Sequence, residues 1–532
     1  MIDGFDPTDI PLEHRLIGPL LAWRAEEDKD RCFIEFGAHR LSFSQVHRRT
    51  QALARGLTAR GVGIQEHVAL LLPNGIEIIL AWFACALIRA INVPLNPGLA
   101  GRMLDRPMRD TATRCLIVGR TQIGALAELG ESVRKALEWV AVVGGLDGLE
   151  LPHGPAQYID WNELFIDGED DPARSADFRD RQTVFYTSGT TGPAKGVQTV
   201  NAHQFSAACG FIRAVALSKS DILYTPFPLF HGLAARLGVL PCLIVGAKAV
   251  IAPKFSASRY WRDLTECQAT VAQSIFSTPA ILLEQPPGPY DRAHRVRALY
   301  NSHSNPVFEE RFGTRLVEAF SMTETGFVLY SRWPHHKPGS AGQVHEDWEA
   351  DLVDEFDRPV PTGESGELIV RPKLPYIMMQ GYLNQPEASV AACRNLWFHT
   401  GDIMRRDKEG WFFYVDRAKE RIRRRGENIS SFDIEQIAAE HPAVAQCAAL
   451  PYPAGPHDDD IRLLVVLKPD QTIDAPKLSE WLSSHMPALL RPRYIEFIAE
   501  FPLTATNKIE KVKLIREGLS KHAWDRTKEE ST

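Results

Sequence analysis

Cysteine is sparse and scattered: eight residues stand far apart, with no CxxC pair and no Cys/His cluster. That excludes a structural zinc site and a disulfide framework, and it reads each thiol as a small buried hydrophobe. Positive charge is not in excess. The net charge is −7, so nothing global points to nucleic acid. Long apolar runs are missing too. The best candidate, IEIILAWFACALI from Ile76 to Ile88, carries Glu77 and falls short of the about 20 residues a membrane span needs. It reads as a buried helix. The N-terminal MIDGFDPTDIPLEH is acidic and has no apolar core, so it does not read as a signal peptide. Internal repeats and low-complexity segments are absent. The expectation is a soluble, cytoplasmic protein with no membrane or nucleic-acid partner.

At 532 residues, 44% hydrophobic and 24% charged, the chain predicts two or more globular domains. Residues 41 to 120 alternate helix and strand patterns. SFSQVHRRTQALARGLTARGV is an amphipathic helix that Ser42 would cap and Gly61 would end. HVALLLP suits a buried strand, and INVPLNP a strand ended by prolines. The rhythm continues through DILYTPFP, a helix near Ala234, and AKAVIAP. Such alternation implies a largely parallel sheet covered on both faces. From about Leu352 the texture becomes short strands and turns, a smaller and more antiparallel β subdomain. Beyond the charged KERIRRRGEN, a compact α+β pattern follows. The expected fold class is α/β, with residues 1–418 as a large N-terminal domain and 419–532 as a small α+β C-terminal domain.

What is present and unusual is YTSGTTGPAKG, Tyr186 to Gly196. A strand, QTVFY, runs into glycines that let backbone N–H groups approach a ligand, hydroxyls that add donors, and one mobile cation. That set suits phosphate oxygens. Gly189 to Lys195 lacks the GxxxxGK[ST] spacing, which disfavours a P-loop ATPase. A flexible surface turn remains the alternative for this stretch alone.

Five further motifs follow in order: PFPLFHG at Pro226–Gly232, FSMTET at Phe320–Thr325, HTGD ending at Asp402, YVDRAKERIRRRGENIS at Tyr414–Ser430, and PLTATNKIEKVKL with Lys508. PGSAGQV, Pro338 to Val344, lies among them. Together with SGTTGPAKG they resemble the adenylate-forming superfamily, and among its members most closely the carnitine- and crotonobetaine-type CoA ligases. The resemblance runs from about residue 15 to 518.

That resemblance implies a C-terminal domain that rotates and two half-reactions. A carboxylate attacks the α-phosphate of ATP, giving acyl-AMP and pyrophosphate; coenzyme A then displaces AMP. It implies that Thr187, Ser188, Gly189, Thr190, Thr191, Gly192 and Lys195 cradle the β- and γ-phosphates. Glu324 would hold Mg²⁺, and Thr323 would donate to the α-phosphate. Phe320, beside Ser321, would stack on adenine, and Glu318 would accept from its amino group. Asp402 would take the ribose hydroxyls, with Tyr414 and Arg417 nearby. Lys508 would stabilise charge during adenylation. Lys419 would be the hinge, Gly426 would line the pantetheine path, and Arg424 and Arg425 would meet CoA phosphates, a solvated basic face being the alternative for the arginines. His231 would gate the acid, beside Gly232 and Ala235. Ala234, Ala235, Leu237 and Val239 suggest an apolar wall and so a hydrophobic or bulky acid.

One departure stands out. Where the family has a small-residue stretch, this chain has YNSHSNP, with Tyr300, Asn301 and Ser302 expected along the acid site. This bulkier segment keeps open an enzyme that mainly makes the thioester from a preformed acyl-AMP. A separate carrier protein as the thiol acceptor, and a homodimer, also stay open.

Overall fold

The amphipathic stretch after Ser42 forms the helix Phe43–Ala59. The Gln45 N–H donates to Ser42 Oγ, and the Ser42 N–H donates to the Gln45 side chain. This reciprocal cap satisfies two donors that the first helical turn leaves open. Gly61 turns the chain beyond the helix with φ +84°. The apolar run at Ile76 forms the buried helix Ile76–Leu87. The computed structural model describes residues 14–187, 194–275, 278–283, 285–301, 305–417, 422–425, 427–429, 431–455, 458–502, 509 and 511–529. Among them, no helix is long and apolar enough to cross a membrane.

Two large sheets carry the βαβ rhythm. In the first, the strands lie in the order Gln157–Asp160, Trp139–Val143, Cys115–Gly119, His67–Leu71, Ile91–Pro94, Arg181–Thr187 and Lys195–Val200. All neighbours are parallel until the last pair, an antiparallel hairpin. In the second, six parallel strands run Arg315–Met322, Ala298–Asn301, Val271–Gln273, Ile222–Thr225, Lys248–Ile251 and Cys32–Phe36. Antiparallel strands close both of its edges. The helices Phe43–Ala59, Ile76–Leu87 and Asn201–Val215 are packed between the sheets. One buried cluster runs from Val68 and Ile117 through Phe43, Phe83, Phe205 and Phe211 to Leu223 and Val271.

The antiparallel β subdomain begins at Trp348, slightly ahead of the expected Leu352, and its strands include Ser365–Pro372, Trp397–Arg406 and Phe412–Arg417. The expected domain boundary at 418 lies outside the described residues. Beyond it, Val444–Gly455 and Asp458–Leu467 pair antiparallel, Tyr494–Phe497 adds in parallel, and the helices Ser431–Ala439 and Ala475–His485 cover the sheet around their own core. The Lys477 N–H donates to Asp474, which caps the second helix.

The C-terminal ends of the parallel strands of both large sheets point the same way. Thr187, Thr225, Gln273 and Met322 end their strands beside one opening. Ligands of open α/β sheets bind at that end.

Candidate active site

A cleft of about 2050 Å³ lies beyond those strand ends. Thr187, Lys195, His231, Gly232, Tyr300, Phe320, Ser321, Thr323, Glu324, Asp402, Tyr414 and Arg425 all line it. Along the chain these residues are scattered over some 240 positions.

The hairpin sets the first group. Thr187 and Lys195 are cross-strand partners, so the two stand side by side on the cleft wall. Gly196 is closely packed beside them: a Cβ there would stand 3.2 Å from Tyr186 Cζ and 3.3 Å from Leu383 Cβ. Lys195 Nζ lies 4.4 Å from the centre of the Tyr382 ring, a cation–π contact. The Tyr382 hydroxyl donates to Glu324 Oε1 at 3.1 Å. Burial, reinforced by Glu324, pushes the Tyr382 pKa up, so the hydroxyl keeps its proton and donates. Two backbone bonds hold this cluster: Met379 N–H to the Glu324 carbonyl at 2.8 Å, and Leu383 N–H to the Gly196 carbonyl at 2.7 Å. A cation and a carboxylate thus share one aromatic residue. Tyr382 lies outside every motif, so the sequence alone does not single it out.

The second group sits on the turn after Arg315–Met322. Gly326, with φ +74°, reverses the chain there, and a Cβ would meet His203 Nε2 at 3.3 Å. Arg236 braces the turn from below. Its Nη2 donates to the Met322 carbonyl at 3.0 Å and its Nη1 to the Thr323 carbonyl at 3.3 Å. Nη1 also lies 3.2 Å from His203 Nε2. Burial drives the His203 pKa far down, so the ring is neutral. Burial lowers Arg236 to about 10, which leaves it charged at neutral pH.

Arg236 belongs to a π turn, Ala235–Val239, set between the short helix Gly232–Ala234 and the helix Leu240–Val245. Gln273 steadies this segment by donating from Nε2 to the Leu233 carbonyl at 2.9 Å and the Leu237 carbonyl at 2.8 Å. Such single wide turns recur at functional sites. Of the expected apolar wall of Ala234, Ala235, Leu237 and Val239, Leu237 faces the cleft and the other three do not. Ala234, Ala235 and Val239 are buried behind the surface; Leu233 and Arg236 face the cleft beside Leu237.

Tyr300 lines the same wall. Its ring packs between Phe211 and Phe327, with centroids 5.7 and 5.8 Å away, and its hydroxyl lies 3.2 Å from Ser321 Oγ. Asn301 does not reach the cleft: it is fully buried and its Oδ1 accepts from Ser274 Oγ at 3.0 Å. Alternation along a strand explains the split, since neighbours point to opposite faces.

Asp402 and Arg417 are opposite each other on paired strands, and the Asp402 N–H donates to Thr400 Oγ1 at 3.1 Å. Two further expectations are corrected. Glu318 is not on the cleft wall; its carboxyl is buried against Ser331 Oγ, and burial raises it to about 7. Arg424 is buried as well. It donates to the Leu489 and Arg491 carbonyls at 3.0 and 2.6 Å and pairs with Asp460, so it braces the C-terminal sheet. Ser188, Gly189, Thr190, Thr191, Gly192, Ser302, Lys419, Gly426, Lys508 and the side chain of Arg417 lie outside the described residues.

The AMP-binding enzyme family matches residues 21–383, and the AMP-binding enzyme C-terminal domain matches 433–508. The chain belongs to the AMP-binding enzyme family. A crotonobetaine/carnitine–CoA ligase of Salmonella paratyphi A is 29% identical over 492 residues, 89% of this chain and 92% of that protein. Among solved structures, a double mutant of the Bacillus subtilis o-succinylbenzoate CoA synthetase superposes with a TM-score of 0.80 at 22% identity, over 93% of this chain and 98% of that one. The amide bond synthetase of Marinactinospora thermotolerans gives 0.77 at 22% identity, over 93% and 98%. These two similarities establish the adenylate-forming fold.

Proposed function

We propose that this AMP-binding enzyme is a carboxylic acid–CoA ligase that adenylates its acid with ATP and then transfers the acyl group to coenzyme A. The observation that carries the reading is the Lys195–Tyr382–Glu324 cluster, next to Thr323 and in one cleft with His231 and Asp402. The relatives named as CoA ligases supply the thiol acceptor in this reading.

The donor set fits the ligands. Lys195 meets the phosphates at the mouth of the 188–193 loop. Glu324, with hydroxyl and backbone support, fits Mg²⁺ bound mainly through phosphate oxygens, a cation that needs only one or two carboxylates. Bound there, Mg²⁺ offsets polyphosphate charge. Thr323 donates to the α-phosphate, and Asp402 accepts from the ribose. Phe320 offers its ring to adenine. The acid enters past His231, and its carboxylate oxygen attacks the α-phosphorus; the bond to pyrophosphate breaks. Lys508 stabilises the charge that develops. Residues 1–418 form the nucleotide and acid domain in this scheme, and 419–532 turn about Lys419 so that Gly426 lines the thiol path. Arg425, Leu489 and Pro487 already line the cleft from the C-terminal side, and Arg102 pairs with Glu440 across it.

ATP–pyrophosphate exchange with a panel of acids tests the first step. Exchange, followed by thioester formation with free coenzyme A, is the expected result. Tyr300 on the acid wall supports one alternative, an enzyme that makes the thioester from preformed acyl-AMP without exchange. Thioester formed only on a phosphopantetheinyl protein would replace coenzyme A by a carrier.

A further inference from the structure

We infer that Arg236 reads a second carboxylate on the acid, so that the substrate is a dicarboxylic acid activated at one end and held at the other. The inference rests on the ligase reading and names its substrate class.

Arg236 is 3% exposed. Among the described residues, no carboxylate forms an ion pair with its guanidinium; Glu324 acts on it only through space. Its hydrogen-bonding neighbours, two backbone carbonyls and a neutral imidazole, carry no charge. Nε has no hydrogen-bond partner among the described residues. Burying a cation costs several kcal/mol unless an anion and full hydrogen bonding compensate it. A charge kept without a paired anion on a cleft wall is therefore poised for one that arrives with the ligand.

The surroundings fit that anion. Arg236 and Gly232 both face the cleft. A Cβ on Gly232 would stand 3.5 Å from both Nε and Nη2, so the glycine lies directly against the side of the guanidinium that carries the buried, unpaired donor. Arginine's planar fork matches a carboxylate with two parallel bonds. The Tyr300 and Ser321 hydroxyls supply further donors on the same wall, while Leu233, Leu237 and Ile275 give the carbon skeleton an apolar bed. A simple hydrocarbon acid would leave the cation unmatched and now sealed from water.

The test compares matched acids in ATP–pyrophosphate exchange and thioester formation: a chain-length series of straight dicarboxylic acids, the monocarboxylic acids of the same lengths, their ω-amides, and terephthalic against benzoic acid. At the best length, the diacid should exceed its monoacid in kcat/KM by at least about 100-fold, as expected where a site's buried polar group is left unpaired by the lesser substrate. Arg236→Gln should bring the ratio close to one, mainly by losing the diacid. Gly232→Ala, which leaves the arginine and its carbonyl contacts in place, should lower the same ratio, so the test survives if Arg236→Gln does not fold. Monoacids preferred at every length would overturn the inference and leave the ligase reading intact. Because Arg236 also braces the Thr323 turn, Arg236→Gln is expected to lower both activities; a diacid/monoacid ratio left unchanged in both the folded Arg236→Gln enzyme and Gly232→Ala would also overturn it. Neither exchange nor thioester formation with any acid would take down the ligase reading and this inference together.

Discussion

Replacing Glu318 by glutamine separates two placements of that carboxyl. On the sequence, Glu318 faces adenine; in the fold, it is fully buried, bonded to Ser331 Oγ, with Oε1 lacking a partner among the described residues. Burial raises its pKa from the ordinary 4.5 to about 7. Between those values the folded protein keeps a proton that the unfolded chain has released, so stability falls as pH rises. At about 1.4 kcal/mol per pKa unit, ionisation costs the folded state about 3 kcal/mol, some ~2.5 kcal/mol of it between about pH 5 and about pH 8. Glutamine keeps the shape and carries no charge at any pH. Urea unfolding followed by tryptophan fluorescence should therefore show Glu318→Gln gaining about 2.5 kcal/mol on the wild type across that interval. The KM for ATP at neutral pH should change by less than about threefold, since the side chain is off the cleft wall. Equal pH slopes in the two proteins would refute the burial argument. A tenfold rise in the ATP KM would return Glu318 to the nucleotide.

Tyr382→Phe keeps the ring over Lys195 and deletes the bond to Glu324; a neutral donor to a carboxylate is worth about 1.5 kcal/mol, so kcat/KM for ATP should fall about tenfold, with the loss measured at limiting Mg²⁺. Arg424→Ala strips the Leu489 and Arg491 carbonyls and leaves Asp460 without that partner. It should destabilise the C-terminal region by about 3 kcal/mol in thermal or urea unfolding, with the KM for coenzyme A little changed. Lys508→Ala should suppress pyrophosphate exchange far more than thioester formation from synthetic acyl-AMP, and equal loss of both would contradict its assigned role.

Most of the cleft is legible in the ordered motifs, because each is a local signal: a turn, a cation, a carboxylate after a strand. The βαβ rhythm and the buried helix at Ile76 are legible for the same reason, since periodicity is local. The errors come from side-chain direction. Glu318 and Asn301 lie within a motif or beside it, yet strand alternation turns both away from the cleft, where the Ser331 and Ser274 hydroxyls donate to them. Arg424 reads as one more exposed arginine in RIRRRG until the Leu489 and Arg491 carbonyls, some 65 residues on, are folded against it. Tyr382 and Arg236 escape a sequence reading for the converse reason. Each gains its meaning only from distant partners, Lys195 and Glu324 for the tyrosine, Met322, Thr323 and His203 for the arginine.

Under the diacid reading, Arg236 would also couple the acid wall to the Thr323 turn. One guanidinium donates from both terminal nitrogens to the carbonyls of Met322 and Thr323, while its buried Nε has no partner among the described residues. Gln273 fixes the π turn that carries it, through Leu233 and Leu237. A lysine at this position would keep the charge but place a single point donor where three directions are needed, so it would hold either the turn or the ligand. The planar fork serves both because its geometry is rigid. A substrate anion seated on Nε would therefore press on the same group that positions Thr323 and Glu324, and the identity of the acid would be felt where the phosphates are held.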